Sequence, residues 1–207
     1  MSKIFAVMGK SASGKDTIYK RLLAEESLAL KTIVPYTTRP IRQGERNGVE
    51  YFFVTQEAMR ELEEQGKVIE CRCYNTVHGE WYYFTADDGQ INLENQDYLM
   101  ITTLVGYEKI RNYYGEDKVV PIYIEVEDGL RLERALKREQ QENNHKYAEM
   151  CRRFLADSED FSEQTLEIQK IIKRYQNIDF EHCLLEVITD IQKEKIRTDK
   201  KGEQHEY

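Results

Sequence analysis

The chain's 207 residues, 40% hydrophobic and 33% charged, suit one globular domain that buries roughly two thirds of its unfolded surface, which excludes a second full domain and argues against disorder. A formal net charge of -8 rules out a global basic field for gathering a nucleic acid backbone, so any anion site must be local. Cys71, Cys73, Cys151 and Cys183 include one C-x-C pair with no second ligand pair; they read as buried free thiols rather than structural zinc, and reduced thiols suit a cytoplasm.

The N-terminal run IFAVM ends at a glycine and is too short for a signal peptide or a membrane span; it reads as a buried strand. GKSASGKDT follows. Gly9, Gly14 and Lys15 satisfy G-x-x-x-x-G-K, in which backbone N–H groups converge on phosphate oxygens while a lysine and a helix N-terminus supply positive potential. The nucleotide-binding stretch is therefore Gly9, Lys10, Ser11, Ala12, Ser13, Gly14, Lys15, Asp16 and Thr17. Where such loops usually place a hydroxyl that ligates Mg²⁺, this one has a carboxylate, Asp16, with the Thr17 hydroxyl one position later. Asp16 either holds the ion through water or faces away from the phosphates.

DTIYKRLLAEESLAL reads as a helix with Ile18, Leu22, Leu23 and Leu30 near helical spacing. TIVPYTTRPIRQGERNGVEYFFV reads as a short strand, a long arginine-rich loop and a strand. Residues 55–65 form a predicted helix with Thr55 as N-cap and Gly66 past its end, before the strand KVIECRCYN. A strand YLMITTLV then leads into a helix GYEKIRNYYG, and VVPIYIEV is a further buried strand. From Asp128 onward the pattern is helical throughout, including TLEIQKIIKRY and FEHCLLEVITDIQKEKI, with a tail at 198–207 expected to fray.

Together with the loop at 9–17, residues 36–54 identify a family. Thr37, Thr38, Arg39, Arg42, Gly44, Glu45, Gly48, Tyr51 and Phe53 fall in register with T-T-R-x-x-R-x-G-E-x-x-G-x-x-Y-x-F, and the chain resembles guanylate kinase. The resemblance implies an α/β fold: a P-loop NTPase-type parallel sheet core with helices on both faces (about 1–35, 96–130 and 165–197), an inserted mixed β monophosphate-binding lobe (about 36–90) and a helical lid (about 131–160).

It also implies that Arg39, Arg42 and Tyr51 clamp a nucleoside monophosphate, since guanidinium forks bind phosphate bidentately and a phenol adds a neutral donor. Glu70 corresponds to the family's guanine reader, accepting from N1–H and the 2-amino group. Thr85 stands near the O6 edge, and Tyr83 matches a tyrosine used on the phosphate. Leaving such groups unpaired with the wrong base discriminates by about 10⁴ or more. Arg134, Arg138 and Arg153 match lid arginines that, with Lys15 and Arg39, stabilise charge on the transferred group.

The sequence departs from the family in places. Ile101 and Thr103 replace acidic residues that help position arginine and Mg²⁺; Pro35, Tyr36 and Phe84 add bulk expected near the monophosphate pocket; the lid lacks a glycine beside its arginine. The implied function is ATP-dependent phosphorylation of GMP and dGMP with Mg²⁺, in a cytoplasmic monomer or homodimer with no nucleic acid or membrane partner. A related kinase with another phosphorylated acceptor, and a non-catalytic binding domain, are the alternatives.

Overall fold

The computed structural model describes residues 2–76, 79–141 and 145–202. The N-terminal strand is Ile4–Met8, β1, buried along its whole length. Its apolar run is continuous because helices cover both faces: Ile4, Ala6 and Met8 join one core cluster, and Phe5 and Val7 join the other. The phosphate loop connects it to α1, Lys15–Ala24, which buries Ile18 and Leu22. A 3₁₀ turn, Glu26–Leu28, brings Leu28 into the same cluster, ahead of the short β2, Lys31–Thr32.

The inserted lobe comprises β3 (Tyr36–Thr37), β4 (Phe52–Phe53), α2 (Gln56–Glu64), β5 (Val68–Thr76) and β6 (Gly79–Ala86). Its sheet runs β4-β3-β6-β5, with β5 and β6 antiparallel. As expected, α2 starts on a Thr55 cap, whose hydroxyl accepts from the Ala58 amide.

The chain returns to the core with β7 (Tyr98–Ile101), α3 (Leu104–Tyr114) and β8 (Val119–Glu125). Then come α4 (Asp128–Gln141), α5 (Tyr147–Asp160), α6 (Glu163–Ile168), β9 (Arg174–Gln176) and α7 (Phe180–Gly202). The core sheet is parallel throughout, in the order β2-β7-β1-β8-β9. Packed on one face are α1 and α7 through Ile18, Leu22, Cys183 and Val187; on the other lie α3 and α6 through Tyr107, Ile110 and Leu166. No helix among the described residues is long and apolar enough to cross a membrane.

Several expectations are corrected. TLEIQKIIKRY is not one helix: α6 ends at Ile168, Lys170 adopts a left-handed φ of 57°, and Arg174–Gln176 pairs with β8 as an edge strand. Its isoleucines lie near helical spacing, but the pairing that decides the outcome is with a strand fifty residues earlier. YLMITTLV divides too, since the strand stops at Ile101 and Thr103 caps α3, its hydroxyl accepting from the Gly106 amide at 3.2 Å.

Of the four thiols only Cys183 is fully buried, Cys73 and Cys151 being exposed. Leu23 is exposed as well. Of the tail expected to fray, 198–202 are the last residues of α7 and 203–207 lie outside the described residues.

Phe84 is fully buried behind β6, stacked on Tyr36 at 5.0 Å with Met59 and Ala86 around it. A strand turns alternate side chains to opposite faces, so the bulk of Tyr36 and Phe84 fills the lobe core, away from the face that carries Tyr83 and Thr85. Thr103→Ala removes a helix cap and should cost about 1 kcal/mol, read as a lower midpoint in urea denaturation with an unchanged slope.

Candidate functional site

Neighbouring strands shape the phosphate loop. A Cβ on Gly9 would lie 2.4 Å from the Ile124 carbonyl oxygen of β8, so only glycine lets the chain leave β1 there. Gly14 has φ +85°, and a Cβ on it would lie 2.4 Å from Asn177 Nδ2. That amide donates to the Ser13 carbonyl at 2.7 Å, so the buried Asn177, one residue past β9, fixes the loop from behind. Gly14 opens α1 without a side-chain cap, which leaves the first-turn amides directed at an anion in the loop. Lys15 Nζ lies 3.7 Å from Asp16 Oδ2, and the Asp16 side chain is 75% exposed.

Two lid helices reach this loop. Arg131 of α4 is 1% exposed, and its guanidinium donates to Asp128 Oδ1 at 2.7 and 3.0 Å and to the Ser11 carbonyl at 2.9 Å. Phe154 of α5 lies under it, 4.6 Å from Cζ to the ring centroid. Asp157 of α5 completes the knot: its Oδ2 accepts the Ser11 amide at 2.6 Å and lies 3.6 Å from Arg131. A carboxylate oxygen thus rests on a loop amide.

In the inserted lobe Arg39, 4% exposed, forks onto Glu45 at 2.6 and 2.7 Å, while Glu45 also accepts the Arg42 amide at 2.8 Å. Arg39 holds the Glu45 carboxyl down at about 2, and Glu45 in turn raises the arginine. The Arg39 guanidinium faces the rings of Tyr51 and Phe53 at 5.1 and 5.3 Å, and Tyr51 meets Tyr83 edge-on at 5.6 Å. Burial raises the Tyr51 phenol, keeping it a neutral donor. The Arg39 Nε is buried without a partner.

Further along the same face sits Glu70, 2% exposed. The β5–β6 register shifts between Val68 and Glu70, a bulge that turns Glu70 toward Thr85 directly opposite. Thr85 donates to Glu70 Oε1 at 2.9 Å, and Arg72, two residues on, donates from Nε to Oε2 at 3.1 Å and from Nη2 to Oε1 at 3.4 Å. The head of α3 comes close here: a Cβ on Gly106 would be 3.7 Å from Glu70 Oε2 and 2.3 Å from Thr102 Oγ1, a buried hydroxyl with no partner.

A cavity of about 290 Å³ lies between the loop, the TTRPIR turn and both lid helices, lined in part by Ser11, Arg42, Arg131, Arg138, Lys146 and Arg153 and by the carboxylates Glu139 and Glu149. Its cations outnumber its carboxylates. Arg134 faces elsewhere, donating to the Asn177 carbonyl at 3.0 Å. Sequence reasoning missed Arg131, Asp157, Asn177 and Arg72. Arg131 had a signal, since it continues the helical stripe of Arg134 and Arg138; Asn177 had none while its surroundings read as helix. Among the described residues no group of three or more His, Cys, Asp or Glu side chains forms a metal site.

The sequence profile of the family described as guanylate kinase matches residues 1–194. Guanylate kinase of Legionella pneumophila is 29% identical over 183 residues, 82% of this chain and 84% of that protein. Guanylate kinase of Porphyromonas gingivalis is 32% identical over 126 residues, 60% of this chain and 65% of that protein. The crystal structure of guanylate kinase from Anaplasma phagocytophilum matches with a TM-score of 0.62 at 21% identity, covering 93% of this chain and 86% of that one. At that identity the match speaks for the fold.

Gly14→Ala tests the loop. A left-handed backbone costs a residue with a Cβ about 1–2 kcal/mol, and the new methyl also collides with Asn177. A lowered thermal midpoint together with at least tenfold weaker ATP binding by calorimetry is the expected result.

Proposed function

The chain belongs to the guanylate kinase family, and from that premise we propose that it transfers the γ-phosphoryl group of ATP to the phosphate of GMP or dGMP. The observation that carries the choice of acceptor is the spacing of two recognition groups on one face of the lobe. Arg39, Tyr51 and Tyr83 gather at one end, and the buried Glu70–Thr85 pair lies at the other. The first suits a phosphate and the second a base with adjacent N–H donors. Phe84, whose bulk argued for a different acceptor, points into the lobe core.

In this reading ATP lies on the phosphate loop, with Lys15 and the first-turn amides of α1 on its phosphates. GMP lies in the lobe with its phosphate toward the cationic cavity. The attacking oxygen belongs to a phosphate already ionised near neutral pH, so no general base is required. A bond forms from that oxygen to the γ-phosphorus, the bond from the γ-phosphorus to the bridging oxygen breaks, and ADP leaves with the electron pair. Catalysis is then positioning and charge neutralisation. Arg42, Arg138 and Arg153 line the space where the group moves, Lys15 holds the donor side, and Arg39 holds the acceptor side. Arg134 acts one step back, through the Asn177 carbonyl that it grips. The lid helices, already tied to the loop through Arg131 and Asp157, exclude water from the transfer.

Asp16 and Thr17 fit Mg²⁺ as a minor protein share, one carboxylate and one hydroxyl, with phosphate oxygens and waters completing the set. The ion supplies charge neutralisation on the donor phosphates when bound. Free thiols at Cys71, Cys73, Cys151 and Cys183 suit the reducing cytoplasm that holds these nucleotides.

The test is MgATP-dependent ADP formation against GMP, dGMP, AMP, IMP, CMP and UMP. Turnover confined to guanine nucleotides, with Glu70→Gln lowering kcat/KM for GMP by about 10² or more, supports the assignment; equal rates with AMP overturn it. Asp16→Ser should shift the Mg²⁺ concentration that gives half-maximal rate, and an unchanged Mg²⁺ titration removes Asp16 from the metal's surroundings.

A further inference from the structure

Arg72 has no role in the reaction just described, although it sits at the centre of the acceptor site. It projects from the same face of β5 as Glu70, opposite Tyr83, and its charge acts on the Tyr51 phenol at the phosphate end. Its guanidinium presents two N–H groups, on Nε and Nη2, one to each oxygen of the Glu70 carboxylate at 3.1 and 3.4 Å. That is a side-on fork. The edge by which guanine meets a carboxylate, N1–H beside the 2-amino group on C2, is also a guanidine fragment with two parallel N–H donors. A carboxylate has one pair of inward-facing lone pairs for such a fork, and two forks cannot share it.

We propose that Arg72 is an internal stand-in for guanine, occupying the base reader until a guanine nucleotide displaces it. This rests on the reading of Glu70 as the guanine contact. Burial explains why such a stand-in is present: a carboxylate 2% exposed, with Thr85 as its only other donor among the described residues, would be costly to leave unpaired. The consequence is quantitative. Only the fraction of molecules with Arg72 turned away is competent to bind, and the apparent dissociation constant is the intrinsic one divided by that fraction. Arg72 therefore sets affinity for every nucleotide that uses Glu70, by a common factor. A residue that held Glu70 in place for the base would have the opposite effect.

The experiment measures GMP and IMP binding to wild type and to Arg72→Met by calorimetry without ATP, together with the thermal midpoint of each protein. The expected result is that Arg72→Met binds both nucleotides about fivefold or more tightly than wild type does, by the same factor. A dissociation constant that is unchanged or higher in a folded Arg72→Met protein overturns the proposal. The smaller Arg72→Ala variant provides a second arm, because methylguanidinium should re-enter the vacated place. It should compete with GMP in Arg72→Ala at concentrations that leave wild-type binding unaltered; equal competition in both proteins counts against the stand-in. Failure of the underlying reading looks different: wild type then binds GMP no better than Glu70→Gln does.

Discussion

Arg39 and Arg131 are buried cations, and Arg131 lines, with Arg42 from the same turn as Arg39, a cavity that gathers further cations. Like charges desolvated together repel, and a guanidinium cannot shed its proton to escape. The fold meets this constraint by giving each buried cation a partner of its own. Glu45 takes the fork of Arg39, while Asp128 and Asp157 flank Arg131. The layout of the site follows from these pairs. Glu45 also accepts the Arg42 amide and so curls the TTRPIR turn back on itself, and Asp157 brings a lid helix down onto the loop. A chain of net charge -8 can therefore hold a locally cationic pocket.

Much of this was legible in the sequence wherever the determinant is local. The run IFAVM followed by GKSASGKDT gives strand, loop and helix because glycine spacing and the end of an apolar run act within a dozen residues. The lobe motif was legible for the same reason, since its arginines, glycines and aromatics serve one turn. What escaped was set by pairing across long separations. The β9 strand exists because β8 offers an edge and Lys170 breaks the helix in front of it; nothing within KIIKRY announces either. Asn177 became visible only with that strand, because its contacts are with Ser13 and Gly14 at the other end of the chain. Phe84 faces the lobe core because alternation along β6 turns it away from Tyr83 and Thr85, which its position in the motif does not by itself convey.

The uncharged side chain at 103 takes on a local meaning in the structure. Thr103 uses its hydroxyl to cap α3, a use that any short polar side chain can fill. Gly106 lets the helix head approach Glu70 without a side chain between them. Neither Ile101, the last residue of β7, nor Thr103 carries a charge, and Glu70 is the one buried carboxylate among the described residues. A single carboxylate needs a single countercharge, and Arg72 is within reach of it.

Two contacts then share one logic. Asp157 places a carboxylate oxygen on the Ser11 amide, where a phosphoryl oxygen would also be a suitable acceptor, and Arg72 places a guanidine fork on Glu70, where guanine's edge would fit. In each case a polar group of the site is satisfied by a side chain that is a chemical likeness of the substrate. Binding then exchanges hydrogen bonds rather than adding them, so the number of contacts in a complex would overstate its affinity. Selectivity comes from how completely the incoming ligand replaces what it displaces. On the proposed reading of Glu70, guanine restores both donors, hypoxanthine restores one and adenine none. A pocket of this kind discriminates by what a wrong base leaves unpaired, and it does so with side chains that also keep the unliganded protein folded.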